Sequence, residues 1–185
     1  MRHPRRRGGP GIRYLIDRRN FIGASLGFLL WPFAGAARAE KPSPPSPAAL
    51  RALSESPYVY VSPLRSDGQE SRCHGEVWFG WIDGAVVVNT GADRWKARSV
   101  RGGLDRARIW VGDFGRWKRP LGKNEDFRRG PSFDARAEFV EDVRVLDRLL
   151  AQYDEKYPAE IGEWRDRMRN GFSDGSRVLI SYRPL

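Results

Sequence analysis

The chain has one cysteine, Cys73, and only two histidines, His3 and His74. A lone thiol excludes an intrachain disulfide. Two histidines and one cysteine make no Cys/His cluster of the kind that holds a structural zinc, so no metal site is expected. Long apolar runs are also missing. The stretch from Phe21 to Ala37 is apolar on average but is diluted by Gly23, Gly27, Pro32 and Gly35, whereas about 17 apolar residues is the lower limit for crossing a bilayer. No stable membrane anchor is expected in the mature form, and no internal repeat is visible.

Basic residues are abundant overall, at a formal net charge of +10, but they are unevenly placed. Residues 1–39 hold 8 of the 33 Lys and Arg and one of the 23 acids, which leaves 25 bases against 22 acids and a net of +3. A nucleic-acid partner argued from charge loses its support. The basic start, the short apolar middle and the small-x-small exit Ala37-Arg38-Ala39 make a secretory signal. Within it, Arg18-Arg19-Asn20-Phe21-Ile22 resembles the twin-arginine consensus, with Asp17 in place of the usual Ser or Thr and Gly23 in place of the usual Lys. That resemblance implies recognition of Arg18 and Arg19 by the twin-arginine export machinery, removal of residues 1–39, and a periplasmic or secreted product.

Residues 40–56 read as a Pro/Ser-rich spacer (KPSPPSPAA) and a short helix over Ala48–Ser54, ended by Pro57. Residues 57–185 are long enough for one domain with its own core. Six tryptophans after residue 39 supply packing where disulfides and metal do not.

Tyr58 to Ser62 reads as a strand, and Ser66-Asp67-Gly68 as a hairpin turn. The chain then runs extended from Glu70 to Ile82. Asp83-Gly84 is a second hairpin turn, and Ala85 to Thr90 a short apolar strand, which together predict a three-stranded antiparallel meander. Asp93 can cap a short helix through Val100, stopped by Gly102-Gly103. Arg106 to Val111 is another strand. Phe133, Ala135, Ala137 and Phe139 alternate with Asp134, Arg136 and Glu138, as a half-buried strand does. Val143, Leu146, Leu149, Leu150 and Tyr153 recur at helical spacing, with Pro158 closing that helix. A further short helix is expected over Glu160–Met168 and a closing strand over Arg177–Tyr182. The class is mainly β with accessory helices. A barrel and an open sheet crossed by a helix fit this pattern equally well.

The segments YVYVSPLRSDG, CHGEVWFGWIDG, AVVVNT, RWKARSV and RARIWV, in this order and spacing, resemble the pyridoxamine 5'-phosphate oxidase-like, FMN-binding split-barrel superfamily. The later helix (VRVLDRLLAQYDEKY), Trp164 and the final strand (RVLISYRP) follow the same order. One departure is Gly75-Glu76, where many members carry Pro before the Val-Trp-Phe. The resemblance implies an antiparallel split β-barrel and a homodimer with FMN, or a deazaflavin or haem, at the subunit interface. It also implies flavin-dependent oxidoreductase chemistry on a small-molecule substrate that the sequence does not name, or carriage of the ligand without turnover. The positions that match the family's phosphate site are Asn89, Thr90, Lys96, Arg98 and Ser99, and His74 becomes a candidate for the ring or for a haem iron.

Charge-assisted contacts at about 1.5–3 kcal/mol each from Lys96 and Arg98 fall short of the about 8 kcal/mol that micromolar binding needs, so ring burial must supply the rest. Lys96 and Arg98 are two residues apart and would not share a face of a regular helix. Trp78, Phe79 and Trp81 are expected in the core, Cys73 as a small buried residue, and Arg116, Lys118, Arg119, Lys123, Arg128 and Arg129 in a basic loop. No catalytic residue is named by the pattern.

Overall fold

The computed structural model describes residues 44–115 and 125–185. The expected export signal, with Arg18, Arg19 and Ala39, lies outside them, as do Arg116, Lys118, Arg119 and Lys123 of the expected basic loop. Helix α1 spans Pro47–Glu55. It opens on Ser46, whose Oγ accepts from the Ala49 amide, and on a proline in its first turn, where no amide is needed. Its Ala49 and Leu53 are buried in the same core as the sheet.

The strands are β1 (Val59–Pro63), β2 (Gly75–Val77), β3 (Gly80–Ile82), β4 (Ala85–Gly91), β5 (Arg106–Val111), β6 (Ser132–Val140) and β7 (Arg177–Pro184). All pairings are antiparallel, and the order is β2-β1-β5-β6-β7-β4-β3. The expected run from Glu70 to Ile82 is thus not one strand in a meander. It divides at Trp78-Phe79 into β2, which pairs with β1, and β3, which pairs with β4, at opposite ends of the sheet.

That division fixes the shape. Six strand spacings in a flat sheet come to about 29 Å, whereas three Cα steps from Val77 to Gly80 reach about 11 Å at most. The sheet must roll until its two ends meet. No β2–β3 pairing is present among the described residues, so the roll is split rather than closed by hydrogen bonds.

Inside the roll, Val61, Val88, Ile109, Phe133, Ala135 and Ile180 form the first core. Strand β6 alternates buried and open positions as its sequence predicts. Strand β4 is buried on both faces, because Val86 and Val88 belong to the inner core and Val87 to a second one. Its apolar run follows from that position. The second core lies beneath α3 (Val143–Lys156) and α4 (Ile161–Ser173), with Leu146, Leu149, Leu150, Tyr153, Tyr157 and Met168 at its centre. Helix α4 runs five residues beyond the expected Met168. Gly171 permits the close fit there, since a Cβ on it would stand 2.6 Å from the Arg177 side chain.

The Asp83-Gly84 turn has φ of 51° and 74° at its two residues, the mirror-image geometry that matches strand twist. Helix α2 (Trp95–Arg101) opens on Arg94 with no side-chain cap, not on Asp93. Cys73 is exposed, not buried. It precedes the start of β2, in a loop where the Ser71 hydroxyl accepts from the Cys73 amide at 3.2 Å and donates to the Cys73 carbonyl at 3.1 Å.

Candidate functional site

Strand β3 pairs with β4 only from Ile82↔Ala85 to Gly80↔Val87. Val88 to Gly91 therefore lack a β3 neighbour, and the split opens beside them. A cavity of about 620 Å³ occupies this opening. Its walls are Glu76, Val77 and Trp78 from β2 and the bend after it, Asn89 to Gly91 from β4, Arg94 to Lys96 at the start of α2, Trp164, Arg167 and Met168 from α4, and Arg177 from β7. The size and the mixture of three tryptophans with a few polar groups are those of a small-molecule site.

Local geometry explains how α2 reaches the opening. The chain turns at Gly91, whose carbonyl accepts from the Arg94 amide at 3.0 Å, and the Ala92 amide is tied to the Ser176 carbonyl at 2.8 Å. This turn delivers Trp95 against β2. A Cβ on Gly75 would lie 3.1 Å from Trp95 Cζ2 and 3.6 Å from Lys96 Nζ, so the missing side chain at Gly75 is what eases this packing. Lys96 Nζ lies 4.6 Å from the centroid of the Trp95 ring.

Of the residues singled out in the sequence, Asn89, Thr90 and Lys96 border the cavity together, while Arg98, Ser99 and His74 do not. Helix α2 is regular, and its pitch separates Lys96 from the exposed Arg98. Ser99 Oγ donates to the Lys96 carbonyl at 2.9 Å. His74 packs with its ring 4.9 Å from that of Phe127. Trp78 stacks on Tyr157 at 4.3 Å and also borders the cavity, whereas Phe79 is wholly buried in the inner core.

Three arginines were not foreseen. Arg94, Arg167 and Arg177 come from a turn, a helix and a strand far apart in sequence, so no local pattern joins them. Arg177 Nε donates to Asn89 Oδ1, and its guanidinium also reaches the Asn89 carbonyl at 3.4 Å. Asn89 Nδ2 is buried without a hydrogen-bond partner. Burial and the nearby charges of Arg167 and Arg94 press the Arg177 guanidinium below its ordinary value, yet a guanidinium keeps its proton throughout the accessible range. Glu76, which accepts from the Tyr60 hydroxyl at 2.9 Å, is the carboxylate on the cavity wall. Such an arrangement can hold an anionic group against a flat aromatic surface.

No protein-family model and no curated protein matches this sequence. Solved structures do. A conserved hypothetical protein from Mycobacterium tuberculosis superposes with a TM-score of 0.50 and 18% identity over 77% of this chain and 83% of that one. The fold is a split barrel. HutZ, the haem storage protein from Vibrio cholerae, gives a TM-score of 0.49 at 17% identity, over 77% of this chain and 92% of its own. An FAD and haem binding protein from Mycobacterium smegmatis gives 0.43 at 16%, over 77% of this chain and 69% of its own. At these identities the likeness is one of architecture.

Proposed function

We propose that this split barrel binds a flavin, FMN in the first instance, and serves as a flavin-dependent oxidoreductase. The observation that carries the reading is the buried, unpartnered Asn89 amide beside Lys96 and Thr90, in a cavity walled by Trp78, Trp95 and Trp164. A buried amide donor without an acceptor costs about 1–3 kcal/mol, and a phosphate oxygen would relieve that cost once the Asn89 side chain turns its Nδ2 to the cavity surface. Lys96 would add charge, Thr90 a hydroxyl, and the indoles the buried ring area that the polar contacts alone do not supply.

A flavin supplies hydride acceptance and donation. The chain's own part is to bind, orient and dry the ring: Trp95 is held by the close approach of Gly75, and Trp78 by its stacking on Tyr157. Export through the twin-arginine route and a homodimer belong to the same proposal, since that route carries folded, cofactor-loaded proteins. Cleavage after Ala39, read by N-terminal sequencing of protein recovered outside the cytoplasm, tests the export step.

The binding test is titration of FMN with the protein, followed by quenching of flavin fluorescence. Saturable quenching that weakens at least tenfold in Lys96→Ala supports the reading. No quenching, and no FMN-dependent rise in melting temperature, overturns it. A bound flavin that neither NADH nor NADPH reduces would turn the assignment from oxidoreductase to carrier.

A further inference from the structure

The ladder registers of β5, β6 and β7 place Arg106 opposite Arg136, and Arg136 opposite Arg183. Paired residues of neighbouring strands share a face, and the adjoining Ala107, Ala135 and Tyr182 belong to the inner core. The three arginines therefore form one row on the outward face of the sheet. Like charges directly opposite each other weaken a sheet, and here two such pairs stand side by side. None of the three has a carboxylate partner among the described residues. Arg183 donates to the Asp83 carbonyl at 3.0 Å, but the Asp83 carboxylate is taken by both Nη atoms of Arg148 at 2.8 Å. Asp134, two residues before Arg136 on β6, is engaged by Arg108 at 2.8 and 3.2 Å. The exposed Glu138, two residues after it, can answer at most one of the three charges. Arg106 Nε is buried without an acceptor. Arg136 and Arg183 are exposed, and no member of the row borders the cavity described above.

We propose that this row binds a linear inorganic phosphate chain, laid across the three strands with its oxyanions on the guanidinium groups. Two strand spacings make the row about 10 Å long, so a single phosphate meets only part of it, and a chain of three or more meets all of it. Arginine forks donate in pairs to phosphoryl oxygens, and a string of anions turns the repulsion along the row into attraction. An acidic peptide suits the place less well. Strand β6 is paired on both sides, so this floor offers no free edge to the amides and carbonyls of an extended peptide. A phosphate chain has acceptors only, and arginine has donors only. Single-stranded nucleic acid needs aromatic platforms for its bases. The outward ring on these strands is Trp110, and Phe127 and Arg128 pack against it at 6.1 and 5.9 Å.

Isothermal titration of the whole chain with phosphate, pyrophosphate and tripolyphosphate tests this, beside an oligoglutamate and an oligothymidylate. Affinity should rise at least tenfold from phosphate to tripolyphosphate and fall steeply with added salt. Arg136→Ala should weaken tripolyphosphate at least tenfold. Without ligand its melting temperature should equal or exceed that of the unaltered protein, because repulsion within the row is relieved; a merely structural role would lower it. Arg144→Ala, which removes an exposed arginine paired with Asp142, should leave tripolyphosphate affinity unchanged. Equal affinity for the three phosphates, or equal weakening by the two substitutions, overturns the proposal. So does an oligoglutamate or an oligothymidylate that binds as tightly as tripolyphosphate. Flavin quenching should be the same in Arg136→Ala as in the unaltered protein, so the two readings stand or fall separately.

Discussion

Lys156 Nζ sits 3.6 Å from the centroid of the Phe79 ring and 3.4 Å from the Ser56 carbonyl. The ammonium is thus satisfied by a π face and a peptide oxygen at the place where the chain crosses from β2 to β3. No carboxylate is paired with it among the described residues. Burial brings its pKa down to about 8.

A pH dependence follows. An unfolded lysine titrates near ~10.4, so between pH 8 and 10 the unfolded chain holds more protons at this position, and stability must rise with pH. Burial raises Tyr153, Tyr157 and Tyr182 above the usual phenol value. Above about pH 10 the unfolded tyrosines lose protons that the folded ones keep, which reverses the slope. Urea midpoints should peak near pH ~10. Lys156→Met should erase the rise and keep the fall. A rise that persists in Lys156→Met would assign it elsewhere.

The Tyr157 hydroxyl donates to the Pro57 carbonyl and accepts from the Phe79 amide at 3.3 Å. Tyr157→Phe leaves the buried Phe79 amide unanswered, at about 1–3 kcal/mol, and the half-buried Pro57 carbonyl with one bond fewer. A loss of about 2 kcal/mol in urea unfolding is expected. A loss below about 0.5 kcal/mol would mean that neither bond contributes.

Gly75→Ala places a methyl 3.1 Å from Trp95 Cζ2. The indole must give way by a few tenths of an ångström, and it forms the wall of the cavity. Flavin affinity should fall several-fold while the melting temperature moves by only a few degrees. Unchanged affinity would show that Trp95 does not touch the ligand.

Gly84 adopts φ of 74° in the β3–β4 turn. Gly84→Ala should cost about 1–2 kcal/mol, the penalty of a side chain in left-handed backbone. Differential scanning calorimetry would show it as a lowered melting temperature.

This turn was legible in the sequence because Asp-Gly states its own backbone geometry, and β6 because Phe133, Ala135 and Ala137 alternate against charged neighbours. The break at Trp78-Phe79 was not. Nothing local separates Val77 from Gly80; the division comes from which strand each half pairs with, and that is decided by residues distant in sequence. The cavity was partly legible for a similar reason. Asn89, Thr90 and Lys96 come from one strand–turn–helix unit, whereas Arg167 and Arg177 arrive from α4 and β7 and meet it only after folding. Arg98 illustrates the limit of residue type as a guide: it is basic and adjacent, but helical pitch turns it away from the opening.

Strand β7 hydrogen-bonds to β6 on one side and β4 on the other. During synthesis, β3 and β4 can therefore pair only with each other until Arg177–Pro184 has left the ribosome. A two-stranded hairpin is marginal in water, so Val86, Val87 and Val88 wait uncovered for partners made almost a hundred residues later. Translation thus delivers a chain that cannot mature from its beginning forward; folding starts in earnest when its late strand arrives, and the wide sequence separation makes that closing step slow.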